Sequence, residues 1–150
     1  MITRMNHMSF TVSNLERSVD FYHNTLGLEL KGQWTRGPEF SSKVTGIQGA
    51  SLKIAFMGAS NCVVELIEYA APAGAKIDTR TCNVGSAHVC FNVDDFDVML
   101  KRALAGGAKL AGERTIIPEG NNAGKAVVYF EDPDGNTIEF ISNQVLAAAS

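Results

Sequence analysis

The chain has little of what would tie it to an oxidising, nucleic-acid or membrane setting. It holds three cysteines in 150 residues, Cys62, Cys82 and Cys90, an odd number with no C-x-x-C spacing. That gives no disulfide framework, and the expectation is a reducing, cytoplasmic location. Basic charge is not in excess: 13 Lys and Arg stand against 16 Asp and Glu, for a formal net charge of −3. The footprint of a nucleic-acid or anionic-membrane binder is therefore missing. No run approaches the ~20 apolar residues of a membrane span, and the opening Met-Ile-Thr-Arg lacks the apolar stretch of a secretory signal. Expected partners are small molecules and other protein chains, not nucleic acid or membrane. With 45% hydrophobic and 19% charged residues, the composition is that of a folded chain able to bury a core.

What is present is an internal repetition. In the first half Met8, Phe10 and Val12 alternate with His7, Ser9 and Thr11, the period-2 pattern of a strand with one face on a core. Ser13 with Glu16 offers a capping box, and Leu15, Val19, Phe21, Tyr22 and Leu26 recur at helical spacing up to Gly27. Strands are expected near 28–33, 51–57 and 61–69, with a Gly-, Ser- and Pro-containing connection after the first of these. The second half restarts the order with a strand at 87–93. Asp94 then caps a helix carrying Phe96, Met99, Leu100, Ala103 and Leu104, ended by Gly106-Gly107. Strands at 109–112, 125–131 and 136–142 follow, with Asp132-Pro133-Asp134-Gly135 as the turn between the last two. Laying His7 on His88 also lays Phe10 on Phe91, Val12 on Val93, Leu15 on Phe96 and Val19 on Leu100 without a gap. The expected fold is α+β: two βαβββ modules, about 5–69 and 86–142, joined by a linker at about 70–85. Together they would make one domain over 1–150, a cup-shaped mixed sheet with the helices outside.

Strand parity then selects side chains. If Phe10, Leu66, Phe91 and Phe140 bury against the helices, His7, Glu65, His88 and Glu139 project from the opposite face of their strands. Unpartnered carboxylates on a dry face are costly, and a bound cation is the least costly resolution. Two neutral imidazoles and two carboxylates balance a divalent ion and leave positions for water or substrate. Glu68 has the parity of Leu66 and is expected at a strand end, outside the cavity. His23, on the helix, is expected to face solvent.

These motifs resemble the vicinal oxygen chelate superfamily, which groups glyoxalase I, methylmalonyl-CoA epimerase, extradiol dioxygenases and antibiotic-resistance proteins. The resemblance runs over residues 5–142. It is carried by the run from Asn6 to Val12, Ser18-Val19-Asp20-Phe21-Tyr22 with Leu26-Gly27-Leu28, the run from Val64 to Tyr69, Ala87-His88-Val89, and the run from Phe130 to Glu139. It implies modules folded as a cup around a divalent metal such as Ni, Co, Zn, Mn or Fe, chelated by substrate oxygens. His7, Glu65, His88 and Glu139 match the family's four ligand positions. A His/Glu/His/Glu set looks most like glyoxalase I, since the epimerase usually has Gln where Glu65 stands. The implied activity is a metal-dependent lyase or isomerase that moves a proton next to a carbonyl, with Glu139 as principal base and Glu65 as ligand with a second acid/base role. An extradiol iron dioxygenase would need only His7, His88 and Glu139, and a metal-free binding or resistance protein would need none of the four.

Lys53 departs from the epimerase pattern. In Ser51-Leu52-Lys53-Ile54-Ala55-Phe56 the alternation is read as placing it on the cavity face, to anchor a substrate carboxylate or phosphate or to act as a tuned base. The Gly120-to-Lys125 run has the wrong spacing for a phosphate loop and is read as a mobile hairpin loop. Cys90 and Asn92 share the parity of His88 and should line the cup, while Trp34 and Phe40 either form an apolar lid or pack. Open module edges point to a homodimer.

Overall fold

The computed structural model describes residues 1–146, which fall into two compact units, Met1–Ile77 and the chain from Asp78 onward. The first contains β1 (Met8–Thr11), α1 (Leu15–Asp20), β2 (Glu29–Arg36), α2 (Pro38–Thr45), β3 (Ser51–Gly58) and β4 (Val63–Ala71). Its sheet runs β1-β4-β3-β2, with β1 parallel to β4 and the other pairs antiparallel. The second contains β5 (His88–Val93), α3 (Phe96–Ala105), β6 (Lys109–Leu110), β7 (Thr115–Ile116), β8 (Ala126–Glu131) and β9 (Thr137–Ser142). Its sheet runs β5-β9-β8-β6 with β7 also on β8, and again the first and last strands are parallel. The two units thus repeat one topology, in the α+β class. No helix among the described residues is long and apolar enough to cross a membrane.

Each sheet buries one face. Phe10, Ala55, Met57, Val64 and Leu66 lie in the first core with Leu15, Phe21 and Tyr22 from the helical segment. Val128, Phe130, Ile138 and Phe140 form the second with Phe96 and Ala103, and the Phe130 and Phe140 rings meet edge to face at 4.7 Å. Alternate residues, Glu65 and Ile67 in β4 and Tyr129 and Glu139 in the second sheet, face away from that core and are only half-buried.

Helix ends differ from expectation by one residue. Asn14, not Ser13, caps α1 by accepting from the Arg17 N–H, while the Ser13 hydroxyl accepts from the Arg17 guanidinium. After Asp20 the helix widens to a π-helical turn, Phe21–Thr25, and stops where Gly27 takes φ 83°. Asp95 caps α3 through the Val98 N–H, and Asp94 instead accepts from the Asn143 amide. The long connection after β2 is not irregular but contains α2, with Pro38 in its first turn and Gly46 at φ 72° ending it. His23 is exposed, as expected, and its Nδ1 donates to the Leu28 carbonyl at 2.7 Å. The turn at Asp132 forms as read, with the carboxylate accepting from the Asp134 and Asn136 N–H groups.

Lys53 is a correction. Lys53 pairs with Glu68 and Phe56 with Glu65, so Lys53 shares the helix-side face of Glu68 and the open face falls to Ile54 and Phe56. Its Nζ donates to Glu68 Oε1 at 2.8 Å, and Glu68 Oε2 accepts from the Leu15 N–H at 2.7 Å. Glu68 sits within β4 rather than at its end, and it latches the first turn of α1 to the sheet, where a negative charge also suits the helix dipole.

Lys53, and secondly the Leu15 N–H, hold the Glu68 carboxyl below its usual range. Its contribution to stability is therefore present above the unfolded carboxyl value and lost as pH falls through the lower folded one. Glu68→Ala should cost about 1–2 kcal/mol in urea unfolding at neutral pH, and the gap to the parent should close below about pH 4. A gap independent of pH would contradict the latch. Lys53→Met should lower the melting temperature slightly and leave kcat and KM unaltered; a large rise in KM would restore the lysine to the site.

Candidate functional site

Register builds the same arrangement in both units. In β1 and β4, Ser9 stands opposite Glu65, and in β5 and β9, Cys90 stands opposite Glu139. Each histidine lies two residues before that partner, on the same face. The result is a pair of contacts: His7 Nε2 lies 3.2 Å from Glu65 Oε2, and His88 Nε2 lies 3.1 Å from Glu139 Oε2. The carboxylates are only 12% and 13% exposed against 34% and 38% for the imidazoles, so the acids are held inside and the ring edges are reachable. Among the described residues no group of three or more His, Cys, Asp or Glu is close enough to hold a metal ion; each unit sets one histidine against one glutamate.

The His7 ring carries chemical information. Its Nδ1 faces the Asn6 amide oxygen at 2.8 Å, an acceptor, so Nδ1 is the protonated nitrogen. A neutral His7 then presents the Nε2 lone pair to Glu65 Oε2, two acceptors within hydrogen-bonding distance. Such a contact requires a proton or another cation between them. One imidazole nitrogen and one carboxylate per unit, each aimed at the other, is a donor set that fits a divalent cation.

Two aromatic residues flank these pairs, and the sequence reading did not single them out. Phe56 stands opposite Glu65 in β3 and its ring lies 5.6 Å from that of His7; Tyr129 stands opposite Glu139 in β8 and lies 5.0 Å from His88. They occupy equivalent places in the repeat, nine and ten residues upstream of their glutamates. That near-equal spacing was the available signal. The two surroundings are not alike, however. Burial, then the charge of Glu139, raises the Tyr129 phenol, and the same two causes push the Cys90 thiol up to about 12 although the residue keeps contact with solvent. Both therefore stay protonated at neutral pH, and both stand opposite Glu139 on the neighbouring strands. On the Glu65 side the ring of Phe56 has no hydrogen to donate.

The fold has known counterparts. A family model for the Glyoxalase/Bleomycin resistance protein/Dioxygenase superfamily matches residues 4–140. A 2-epi-5-epi-valiolone epimerase from an Actinomyces species is 29% identical over 143 residues, covering 92% of this chain and 78% of the relative. A lactoylglutathione lyase from Neisseria meningitidis is 29% identical over 147 residues, covering 94% and 91% of the two chains. The crystal structure of a glyoxalase family protein from Bacillus cereus superposes with a TM-score of 0.79 at 27% identity, over 95% of each chain. With the match running through nearly all of both units, the chain belongs to the glyoxalase/bleomycin resistance protein/dioxygenase superfamily.

Proposed function

We propose that this protein is a divalent-metal-dependent lyase or isomerase of the glyoxalase I type, with His7, Glu65, His88 and Glu139 as the ligands of its cation, the His7–Glu65 and His88–Glu139 pairs being supplied by one chain or by two copies of it. The observation that carries the reading is the facing of an imidazole Nε2 and a carboxylate oxygen in each unit, with the His7 Nε2 presented as a lone pair. Relatives named as a lyase and an epimerase support a reaction at a small molecule's proton-bearing carbon. When bound, the cation would polarise a carbonyl oxygen and make the adjacent C–H more acidic.

The chain's own groups do the proton work. Glu139 is the base: its carboxylate takes the proton from the carbon next to the carbonyl, and the C–H electron pair passes towards the carbonyl oxygen. Tyr129 and Cys90, both protonated and both opposite Glu139 across the strands, border that carboxylate with groups able to donate to it. Glu139 then gives the same proton back at a neighbouring atom, and Glu65, across from a phenylalanine rather than a phenol, is the second acid/base group, serving the substrate of opposite configuration. The substrate is a small molecule, and two copies of the chain would associate as a homodimer. Lys53 has no part in this scheme, being engaged by Glu68.

Metal-reconstituted protein screened against hemithioacetals and acyl-CoA thioesters should turn over one of the two classes, and a chelator should abolish the activity. Glu139→Gln should then lower kcat by about a hundredfold or more with the circular dichroism spectrum preserved. Unchanged turnover in that variant would reject Glu139 as the base.

A further inference from the structure

Two glycines on the open face of the first sheet lie under side chains rather than at turns. Gly32 stands opposite Phe56, on the row that continues to Glu65, and a Cβ there would come within 2.6 Å of Trp34 Cη2. Gly58 stands opposite Val63, and a Cβ there would come within 2.5 Å of Lys31 Cε. Neither has positive φ, so what these positions supply is space and not a special backbone conformation. The space lets the Trp34 indole lie along β2 and the Lys31 stem lie across β3.

The side chains so placed form a track leading to the histidine and glutamate of the first unit. Trp34 meets Phe56 edge to face at 5.3 Å, and Phe56 lies 5.6 Å from the His7 ring. Despite that contact Trp34 remains 41% exposed, a large aromatic surface left open beside a polar pair. Lys31, its stem over Gly58 one row from Phe56 on the same face, has its ammonium paired with Glu29, and both residues are exposed, so the pair is weak and exchangeable.

We infer that this face is a substrate subsite for a cyclic organic acid, whose ring lies on Trp34 and Phe56 and whose anionic group takes the Lys31 ammonium from Glu29. It deepens the proposed function and rests on it for the identity of the reacting end, which would extend past Phe56 to His7 and Glu65. The subsite itself stands on the geometry of the first unit alone. Ring stacking selects a flat or carbocyclic body, and Lys31 selects its charge.

Trp34 is the single tryptophan of the chain, so its emission reads the subsite directly. The full chain, with and without EDTA, is titrated with benzoate, benzamide and acetate. Benzoate should change the emission saturably in both conditions, benzamide about fivefold more weakly, and acetate not at all. Lys31→Met should make benzoate and benzamide equal. Gly32→Ala, which displaces the indole, should weaken benzoate by about fivefold or more with the melting temperature unchanged. An emission indifferent to benzoate, an acetate response equal to that of benzoate, or undiminished discrimination in Lys31→Met would overturn the subsite. Benzoate binding in a protein without metal-dependent turnover would uphold the subsite and reject the proposed reaction instead.

Discussion

An imidazole nitrogen held against a carboxylate oxygen at 3.1 to 3.2 Å, once in each unit, is the contact around which the open faces are arranged. It follows from a single topological choice: the first and last strands of each unit are parallel neighbours, and their register sets the histidine two residues before the position opposite the glutamate. A slip of one residue in either pairing would turn the glutamate into the core and a leucine or phenylalanine out of it. The buried apolar faces, Phe10 with Leu66 and Val128 with Phe140, therefore do more than stabilise: they fix the register that aims the polar side chains.

The repeat is symmetrical in backbone and unsymmetrical in chemistry. Where β3 brings Phe56 opposite Glu65, β8 brings Tyr129 opposite Glu139, and where β1 brings Ser9, β5 brings Cys90. One carboxylate is thereby surrounded by protonated donors and the other borders an aromatic surface that continues to Trp34. Duplication followed by divergence of neighbours gives two acids different surroundings on one scaffold. The exposed aromatic surface of Trp34 and Phe56 accordingly lies on the side of Glu65.

Much of this was legible in the residues. The order of elements, the turn at Asp132, and the parity of His7 and His88 follow from alternation and from the gap-free overlay of the halves, because β1 and β5 are apolar on one face only, while the parity of Glu65 and Glu139 follows from the burial of their neighbours Leu66 and Phe140. Lys53 was misplaced for the opposite reason. In β3 both parities are apolar, Leu52, Ile54 and Phe56 on one and Ala55 and Met57 on the other, so alternation there carries no direction and only the pairing with β4 supplies it. α2 was hidden by its shortness: Phe40 and Val44 are its large apolar residues and both are exposed, which leaves no buried stripe to detect. The caps at Asn14 and Asp95 were each displaced by one residue because Ser13-Asn14 and Asp94-Asp95 offer adjacent acceptors, and helix geometry chooses between them.

The claim that the two pairs share one cation is tested most directly by cobalt(II) titration of the full chain, followed by visible absorption. Saturation is expected at about one cobalt per chain, with the band lost or shifted when either pair is broken, in His7→Ala and Glu65→Gln as much as in His88→Ala and Glu139→Gln. A band and a stoichiometry that survive the loss of either whole pair would contradict the account.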